Sequence, residues 1–302
     1  MLSVNSYSFS LFNMHLYSSS SNSSFTECVK KNTSSFLLHN TDCASPSYEE
    51  CSFTGPTHVI VTSTTSFLRC TFSTMSSDDQ GAAIYSKSTA LVSVTVTSCV
   101  LADCTAGMNG GAIYLSGINS LTVTGSVFQN CITNSEESEP GGGGIYVDGL
   151  ESCLYVSTSS FINCKSTVGH RGGSGFFASQ IKSLCTYSTR FISCSSTNAG
   201  GALFFLQVSN DLLVSDSLFS NNTADVHGGA IREVNDFISS IPHLKFSFFT
   251  ANRAPDDHGN DLSIQPEITS SPFIHCFTTA LSNRVAYNSG SGSHKYDDYW
   301  LP

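Results

Sequence analysis

The stretch GGAIYLSGINSLTVTGSVFQNC, residues 110–131, contains one complete unit of the repeat that decides the fold of this chain. Its opening glycine box, GGAIY, has five counterparts, and the apolar residue after the glycines recurs at intervals of 29, 32, 31, 27 and 28 residues. A nearly fixed period of this length is typical of a protein built from stacked repeats. The recurring apolar residues are Ile84, Ile113, Ile145, Phe176, Leu203 and Ile231.

Two further segments follow each glycine box. The first has alternating apolar residues, such as Leu121 and Val123, and the second is a tetrad that begins with an aromatic or aliphatic residue and ends with Cys or Asn. No stretch shows the 3.6-residue period of a helix, so each repeat is predicted to hold three short strands separated by polar turns. The tetrads begin at Phe67, Leu101, Phe128, Phe161, Phe191, Phe219 and Phe249.

Strands of three to five residues are too short to form a core alone. They become stable when each pairs in parallel with its equivalent one turn later, so that the coils stack. The sequence therefore predicts an all-β chain folded as a single parallel β-helix of about seven coils with irregular caps. We expect an N-terminal cap or degenerate coils over residues 1–55, the β-helix over 56–262, and a C-terminal cap and flexible tail over 263–302.

Composition and charge narrow the function classes. Among 302 residues only 12% are charged, the net charge is −10 and the pI is near 5.2. Nucleic-acid binding requires a basic footprint, so no nucleic-acid partner is expected. No segment reaches the roughly 18 apolar residues of a membrane span. The N-terminus makes a poor signal peptide, yet the Ser- and Thr-rich composition favours an extracellular or cell-surface location, and we expect a piece of a larger surface protein.

Twelve cysteines are present, without a Cys-x-x-Cys pair. Five of them end tetrads and are predicted to stack with parallel side chains, which favours buried free thiols, with disulfides or metal and redox chemistry as the alternatives. These five are Cys70, Cys104, Cys131, Cys164 and Cys194. Cysteines outside the tetrads are better disulfide candidates: Cys28, Cys43, Cys51, Cys99, Cys153, Cys185 and Cys276.

An aromatic stripe is the candidate ligand-binding site. Its residues directly follow the inward apolar position, and strand alternation places them on the opposite face, outside the coil. Such rings could stack on sugar faces or on an apolar patch of a partner; the alternatives are a stabilising external ladder or an inverted assignment of the two faces. The stripe consists of Tyr85, Tyr114, Tyr146, Phe177 and Phe204, followed by Arg232.

Catalytic and metal sites are not expected, and neither is a cofactor. An enzyme on such a scaffold needs carboxylates that converge from adjacent coils, whereas the acidic residues here fall at different registers: Asp103, Asp148, Asp211, Asp216 and Glu233. His170, Arg171 and His227 are interpreted as solvated turn residues. The acidic loops near Asp78, Glu136 and Asp256 lack the spacing of a calcium loop. Sequons make three glycosylation candidates: Asn22, Asn32 and Asn221.

Glycine boxes that alternate with Phe-x-x-Asn tetrads resemble the repeats of chlamydial polymorphic outer-membrane proteins and of similar surface proteins of anaerobic protists. The resemblance covers about residues 64–262, although most tetrads here end in Cys and only those ending at Asn222 and Asn252 keep Asn. It implies a right-handed parallel β-helix of the pectate-lyase type and an adhesin-like role at the surface.

These observations favour a non-enzymatic surface or secreted interaction protein whose partners are host or matrix glycans or proteins. One alternative is a carbohydrate-active enzyme, a polysaccharide lyase or hydrolase, although fold alone does not license that conclusion. Another is a structural spacer from a larger surface protein. Turnover of pectin, alginate or chitin oligomers would identify the enzyme, and a spacer would bind neither cells nor glycans.

Overall fold

The structure is a computed structural model. It describes residues 24–26, 29–30, 46–56, 58–88, 90–134, 141–149, 152–167, 172–209, 211–234, 243–255, 259–265, 275–278, 285–289 and 292–296. In this part of the chain all regular structure is β, and no helix that could cross a membrane is present.

The strands are short and follow one another at the repeat period. The N-terminal half contains β1 Ser24–Thr26, β2 Val29–Lys30, β3 Ser47–Glu49, β4 Ser52–Gly55, β5 Val59–Ile60, β6 Thr65–Leu68, β7 Thr71–Ser77, β8 Ile84–Lys87, β9 Ser93–Thr97, β10 Val100–Ala102, β11 Thr105–Ala106, β12 Ile113–Ser116, β13 Ser120–Thr124, β14 Val127–Gln129, β15 Ile132–Thr133 and β16 Ile145–Asp148.

The C-terminal half continues the series with β17 Cys153–Ser157, β18 Ser160–Ile162, β19 Lys165–Ser166, β20 Phe176–Ile181, β21 Ser183–Tyr187, β22 Arg190–Ile192, β23 Ser195–Ser196, β24 Leu203–Val208, β25 Leu212–Ser215, β26 Leu218–Ser220, β27 Thr223–Ala224, β28 Ile231–Val234, β29 His243–Thr250, β30 Leu262–Gln265, β31 His275–Thr278, β32 Val285–Ser289 and β33 Gly292–Tyr296.

Equivalent strands stack in parallel, which confirms the predicted β-helix, here with about six turns. Three principal faces result, and the two-residue strands β11, β15, β19, β23 and β27 stack as a fourth, short ladder, so that each central repeat has four strands where three were predicted. The glycine-box face is a ten-stranded sheet that runs from β5 through β8, β12, β16, β20, β24, β28, β30 and β32 to β33. The middle face stacks β6, β9, β13, β17, β21, β25 and the start of β29, and the tetrad face stacks β7, β10, β14, β18, β22, β26 and the end of β29.

Parallel pairing also occurs outside residues 56–262. Strand β1 pairs with β3, and β30 pairs with β32, which then pairs antiparallel with β33. The strands β32 and β33 lie in the stretch that we expected to be cap and tail. The division of the chain into domains stays a prediction.

Two sharp bends separate the faces of each coil, and both fall at residues with positive φ. The first bend joins the middle and tetrad faces, as at Thr158 (φ 47°), and the second follows the tetrad strand, as at Asn163 (φ 52°). This left-handed backbone is disfavoured for residues with a Cβ, so packing on both sides must hold it. The glycine boxes begin with the same backbone, for example at Gly110 (φ 66°) and Gly142 (φ 82°), where glycine adopts it without steric cost.

The core fills the interior of the coil with columns of like side chains. The rings of Phe128 and Phe161 stack at 4.6 Å between centroids, and the column continues through Phe191, Phe219 and Phe249 at 4.8–4.9 Å. This separation equals the strand spacing, so the stacking of rings follows directly from strand register. All five rings are at most 2% exposed.

Candidate functional site

The predicted aromatic stripe lies on the outer side of the glycine-box face. Its residues are in register, and their rings stack face to face from Tyr85 to Phe204, with centroid separations of 5.5, 4.9, 5.3 and 5.2 Å. The rings form an apolar cluster separate from the core. Strand alternation therefore assigned this face correctly.

Four of the five rings of this ladder are nevertheless buried, and Tyr85 is partly buried. Tyr114 and Tyr146 are each 6% exposed, and Phe177 is fully buried. Each inner ring has both faces covered by its neighbours, and His58 stacks on Tyr85 at 5.1 Å. A sugar that packs on an aromatic residue needs a free ring face, so the geometry corrects the expectation that these rings offer stacking surfaces. Because so little of their surface is exposed, the rings fit the alternative of a stabilising ladder outside the coil.

The tetrad cysteines form a hydrogen-bonded column inside the coil. The Sγ atoms of Cys131, Cys164 and Cys194 contact the carbonyl oxygen of the tetrad residue one coil earlier, at 3.4–3.7 Å. Asn222 and Asn252 continue the column, and their Nδ2 atoms donate to the equivalent carbonyls at 3.0 and 3.1 Å. Thiol and amide thus supply the same donor, which explains why either residue can end a tetrad. Burial raises the pKa of the Cys131 and Cys194 thiols.

Cys70 does not belong to this column, and its assignment to the tetrads was wrong. Phe67 pairs with Val96 on the middle face, whereas Phe72 is the residue in register with the tetrad residue Leu101. The backbone N–H of Cys70 therefore points to Cys99 Sγ at 3.4 Å. The middle and tetrad segments of a repeat both have apolar-x-x-Cys sequences. The pattern therefore gives the repeat length, but it does not tell which of the two segments contains a given cysteine.

The column that contains Cys99 follows the first bend of every coil. It continues through small hydroxyl residues, and the N–H groups of Cys99 and Ser126 donate to the Oγ of the next member at 3.1 Å. No described cysteine forms a disulfide, in accord with the favoured interpretation for the tetrad cysteines. The same holds for the disulfide candidates Cys51, Cys99, Cys153 and Cys185, while Cys28, Cys43 and Cys276 lie outside the residues whose side chains are described.

The acidic residues occupy unrelated positions, as predicted. Asp103 and Asp216 lie at the second and first bends, and Asp148 is half-buried beside the aromatic ladder. Desolvation raises the pKa of Asp148, an effect that a hydrogen bond with Ser179 opposes. Asp211 is exposed just before β25. In the described part of the chain no group of three metal-binding side chains forms, and Asp78 is exposed.

Two acidic residues are buried inside the coil, which the sequence analysis did not predict. Glu233 is in register with Phe205 and faces the core with 2% exposure, and its Oε2 has no hydrogen-bond partner among the described residues. Burial raises its pKa to about 8. Asp261, one coil later, accepts a hydrogen bond from Asn252 Nδ2 at 2.9 Å, and burial raises its pKa to about 6. The sequence signal was a charged residue at an apolar position of the repeat.

The outer side of the middle face carries rows of hydroxyl groups in its first coils. Strands β9 and β13 have the same Ser-x-Thr-x-Thr pattern, and Thr95 is in register with Thr122. The rows change character in the next two coils, where Tyr155 is in register with Thr122, and Tyr187 with Ser157. These tyrosines are 43% and 45% exposed. The residue alternation alone does not distinguish them from their neighbours, and the sequence signal is a tyrosine in place of a threonine or serine.

The remaining predicted residues lie on turns or outside the described residues. His227 forms a parallel bridge with Ala199. Asn221 is exposed at the second bend with φ 55°, a position where a glycan would point away from the coil. The other sequons, at Asn22 and Asn32, lie outside the described residues, as do His170, Arg171 and the acidic loops at 136–139 and 256–258.

A family model supports the architecture. The Chlamydia polymorphic membrane protein repeat matches residues 216–232, which join the tetrad at Phe219 to the glycine box at Gly228. No curated protein and no solved structure matches the chain significantly. The chain is a β-helix repeat protein that resembles polymorphic membrane proteins.

Proposed function

We propose that this β-helix repeat protein is a non-enzymatic, adhesin-like rod that contacts its partners at a cell surface or in the surrounding matrix. The proposal has two parts, a surface location and a binding role. The repeat matched by residues 216–232 is described for membrane proteins of Chlamydia, which supports the location. The binding role rests on this chain's own surface.

The observation that carries the binding role is the uneven use of aromatic residues. On the glycine-box face and in the core, neighbouring rings stack on each other and so cover each other's faces. Tyr155 and Tyr187 lie instead on the open middle face, at positions where neighbouring coils have small polar residues. Because an exposed tyrosine adds little to the stability of a coil, these residues are better explained by contact with a partner.

An adhesion assay tests the proposal. The purified 302-residue protein is coupled to beads, and bead attachment to cultured epithelial cells and to extracellular-matrix glycoproteins is counted, with albumin-coated beads as the control. We expect attachment well above the control and inhibition by soluble protein. Absence of attachment to every surface would favour the spacer and refute the binding role. Turnover of pectin, alginate or chitin oligomers that one acid substitution abolishes would refute the non-enzymatic assignment.

A further inference from the structure

The two exposed tyrosines of the middle face differ from the other described aromatic residues of the coils around them. The rings of Phe161, Phe177, Phe191 and Phe204 have a stacked neighbour within about one coil spacing. Tyr155 and Tyr187 have no ring partner and no side-chain hydrogen bond among the described residues, and they keep more than two fifths of their surface exposed. Their ring faces are therefore open to a ligand.

The two residues are placed to act together. Tyr155 is the middle residue of β17, and Tyr187 is the last residue of β21, the strand directly next to it. Alternation points both side chains outward. They are one strand spacing apart across the sheet and two residues apart along it, which separates their Cα atoms by about 8 Å.

Within the two strands the chemistry around the rings is polar and uncharged, and one exposed acid, Asp216, lies at the bend next to Ser215, the register partner of Tyr187. The strands β17 and β21 contain no acidic or basic residue, and half-exposed hydroxyl groups of Thr122 and Ser183 flank the rings. Rings with open faces beside neutral hydroxyls complement a sugar, which has an apolar C–H face and a rim of hydroxyl groups. A strongly acidic glycan is disfavoured because the chain has a net charge of −10.

The size of this tyrosine patch, Tyr155 and Tyr187 with their flanking hydroxyls, also favours a small ligand. It spans two coils and one strand, roughly 10 Å by 17 Å. That area of under about 200 Å² is far below the roughly 800 Å² per partner of a stable protein interface. A second copy of the chain would therefore gain too little contact here, whereas an oligosaccharide could lie across both rings.

We propose that the tyrosine patch binds a neutral oligosaccharide, with the rings of Tyr155 and Tyr187 packed on successive sugar units. This inference rests on the proposed binding function and names the ligand class for it. The carbohydrate is held by apolar ring contacts and by hydroxyl hydrogen bonds. Its binding is consequently insensitive to ionic strength, unlike the binding of an acidic glycan.

Calorimetric titration tests this proposal with defined probes. The neutral probes are hexasaccharides of cellulose, xylan, mannan and chitin, and the acidic probes are oligogalacturonate and heparin oligosaccharides, each tested at about 0.1 M and about 1 M salt. We expect at least one neutral hexasaccharide to bind with a Kd of about 1 mM or below at both salt concentrations. The double variant Tyr155→Ser/Tyr187→Ser should bind it about tenfold more weakly or not at all.

Two control variants separate ring contact from folding. The double variant Tyr155→Phe/Tyr187→Phe keeps the rings and should retain most of the affinity. Leu91→Ser removes another exposed apolar side chain, 61% exposed and outside the patch, and should bind like the wild type. Circular dichroism melts of all variants should agree closely, because none of the replaced side chains is buried.

The proposal is overturned if no neutral probe binds, if only acidic probes bind, or if the double serine variant binds as well as the wild type. It is also overturned if sedimentation shows a concentration-dependent dimer that the double serine variant loses, since the patch is then a self-association surface. If beads attach but no neutral probe binds, the proposed oligosaccharide ligand is refuted and the proposed binding function is not. Failure of bead attachment refutes the binding function.

Discussion

Replacement of Glu233 by Gln should remove a large part of the pH dependence of stability in this protein. The carboxyl group faces the core of the coil, is 2% exposed, and its Oε2 has no hydrogen-bond partner in the part of the chain that the structure describes. Burial raises its pKa from 4.5 to about 8, although the charge of Arg232 opposes this shift. A raised pKa means that the folded protein holds the proton more tightly than the unfolded chain.

The sign and size of the effect follow from this difference. Well below pH 4.5 the group is protonated in both states, so its ionisation does not affect the free energy of unfolding. As the pH rises towards about 8, the unfolded state is increasingly favoured, by about 1.4 kcal/mol for each pH unit. Between about pH 5 and about pH 8 the wild type should therefore lose up to roughly 4 kcal/mol through this residue, while Glu233→Gln should not.

Urea unfolding followed by circular dichroism at several pH values measures this difference. Because coils interact mainly with their neighbours, hydrogen exchange provides a second, local measurement. Amides of β24 and β28 should exchange faster at about pH 8 than expected from the intrinsic rate, whereas amides of β8 and β12 should not. Stability curves of wild type and variant that run parallel over this range would refute a buried, proton-binding Glu233.

Three other predictions test the packing. Tyr146→Ser should lower the free energy of unfolding by about 2–4 kcal/mol, measured in urea, because its ring is buried between two others. Gly175→Ala should lower it by about 3 kcal/mol or more, since the new Cβ would lie 2.8 Å from Cδ1 of Phe191. With a maleimide reagent and mass spectrometry, Cys185 should be labelled in the native protein, while Cys164 reacts after unfolding, because its thiol is fully buried.

Matched controls exist for these experiments. Tyr155→Ser removes an exposed ring and should change the unfolding free energy by less than about 0.5 kcal/mol. Gly125→Ser should cost only the roughly 1–2 kcal/mol of its left-handed backbone (φ 59°). Its Cβ would meet nothing closer than 3.6 Å, and Ser98 adopts the same backbone at the equivalent bend. Equal losses for Tyr146→Ser and Tyr155→Ser would contradict the described burial. If Cys164 in the native protein is labelled as fast as Cys185, the described burial of the Cys164 thiol inside the coil is wrong.

Sequence patterns predicted the strands well but the surface poorly. The inward columns and three of the four strands of each repeat follow from two periods, one of about 30 residues and one of two, and both are visible in the sequence. The two-residue strands such as β11 and β15 were not predicted, because they are too short to show a period. The phase of the first coil was mistaken at Cys70, because middle and tetrad strands carry similar sequences there. The exposure of Tyr114 was also misjudged, because alternation tells which side of a sheet a residue occupies and not what packs on that side.

By itself the sequence determined that this chain coils, because short apolar strands at a constant period can bury their side chains only against their own copies one turn away. It also determined the columns of Phe, Cys and Asn, since parallel register places equivalent residues directly above one another. Only the tertiary structure decided which rings are covered by stacking on each other and which are exposed, as Tyr155 and Tyr187 are on the middle face. Exposure depends on every neighbour in three dimensions, and two residues with the same alternation can therefore have opposite surroundings.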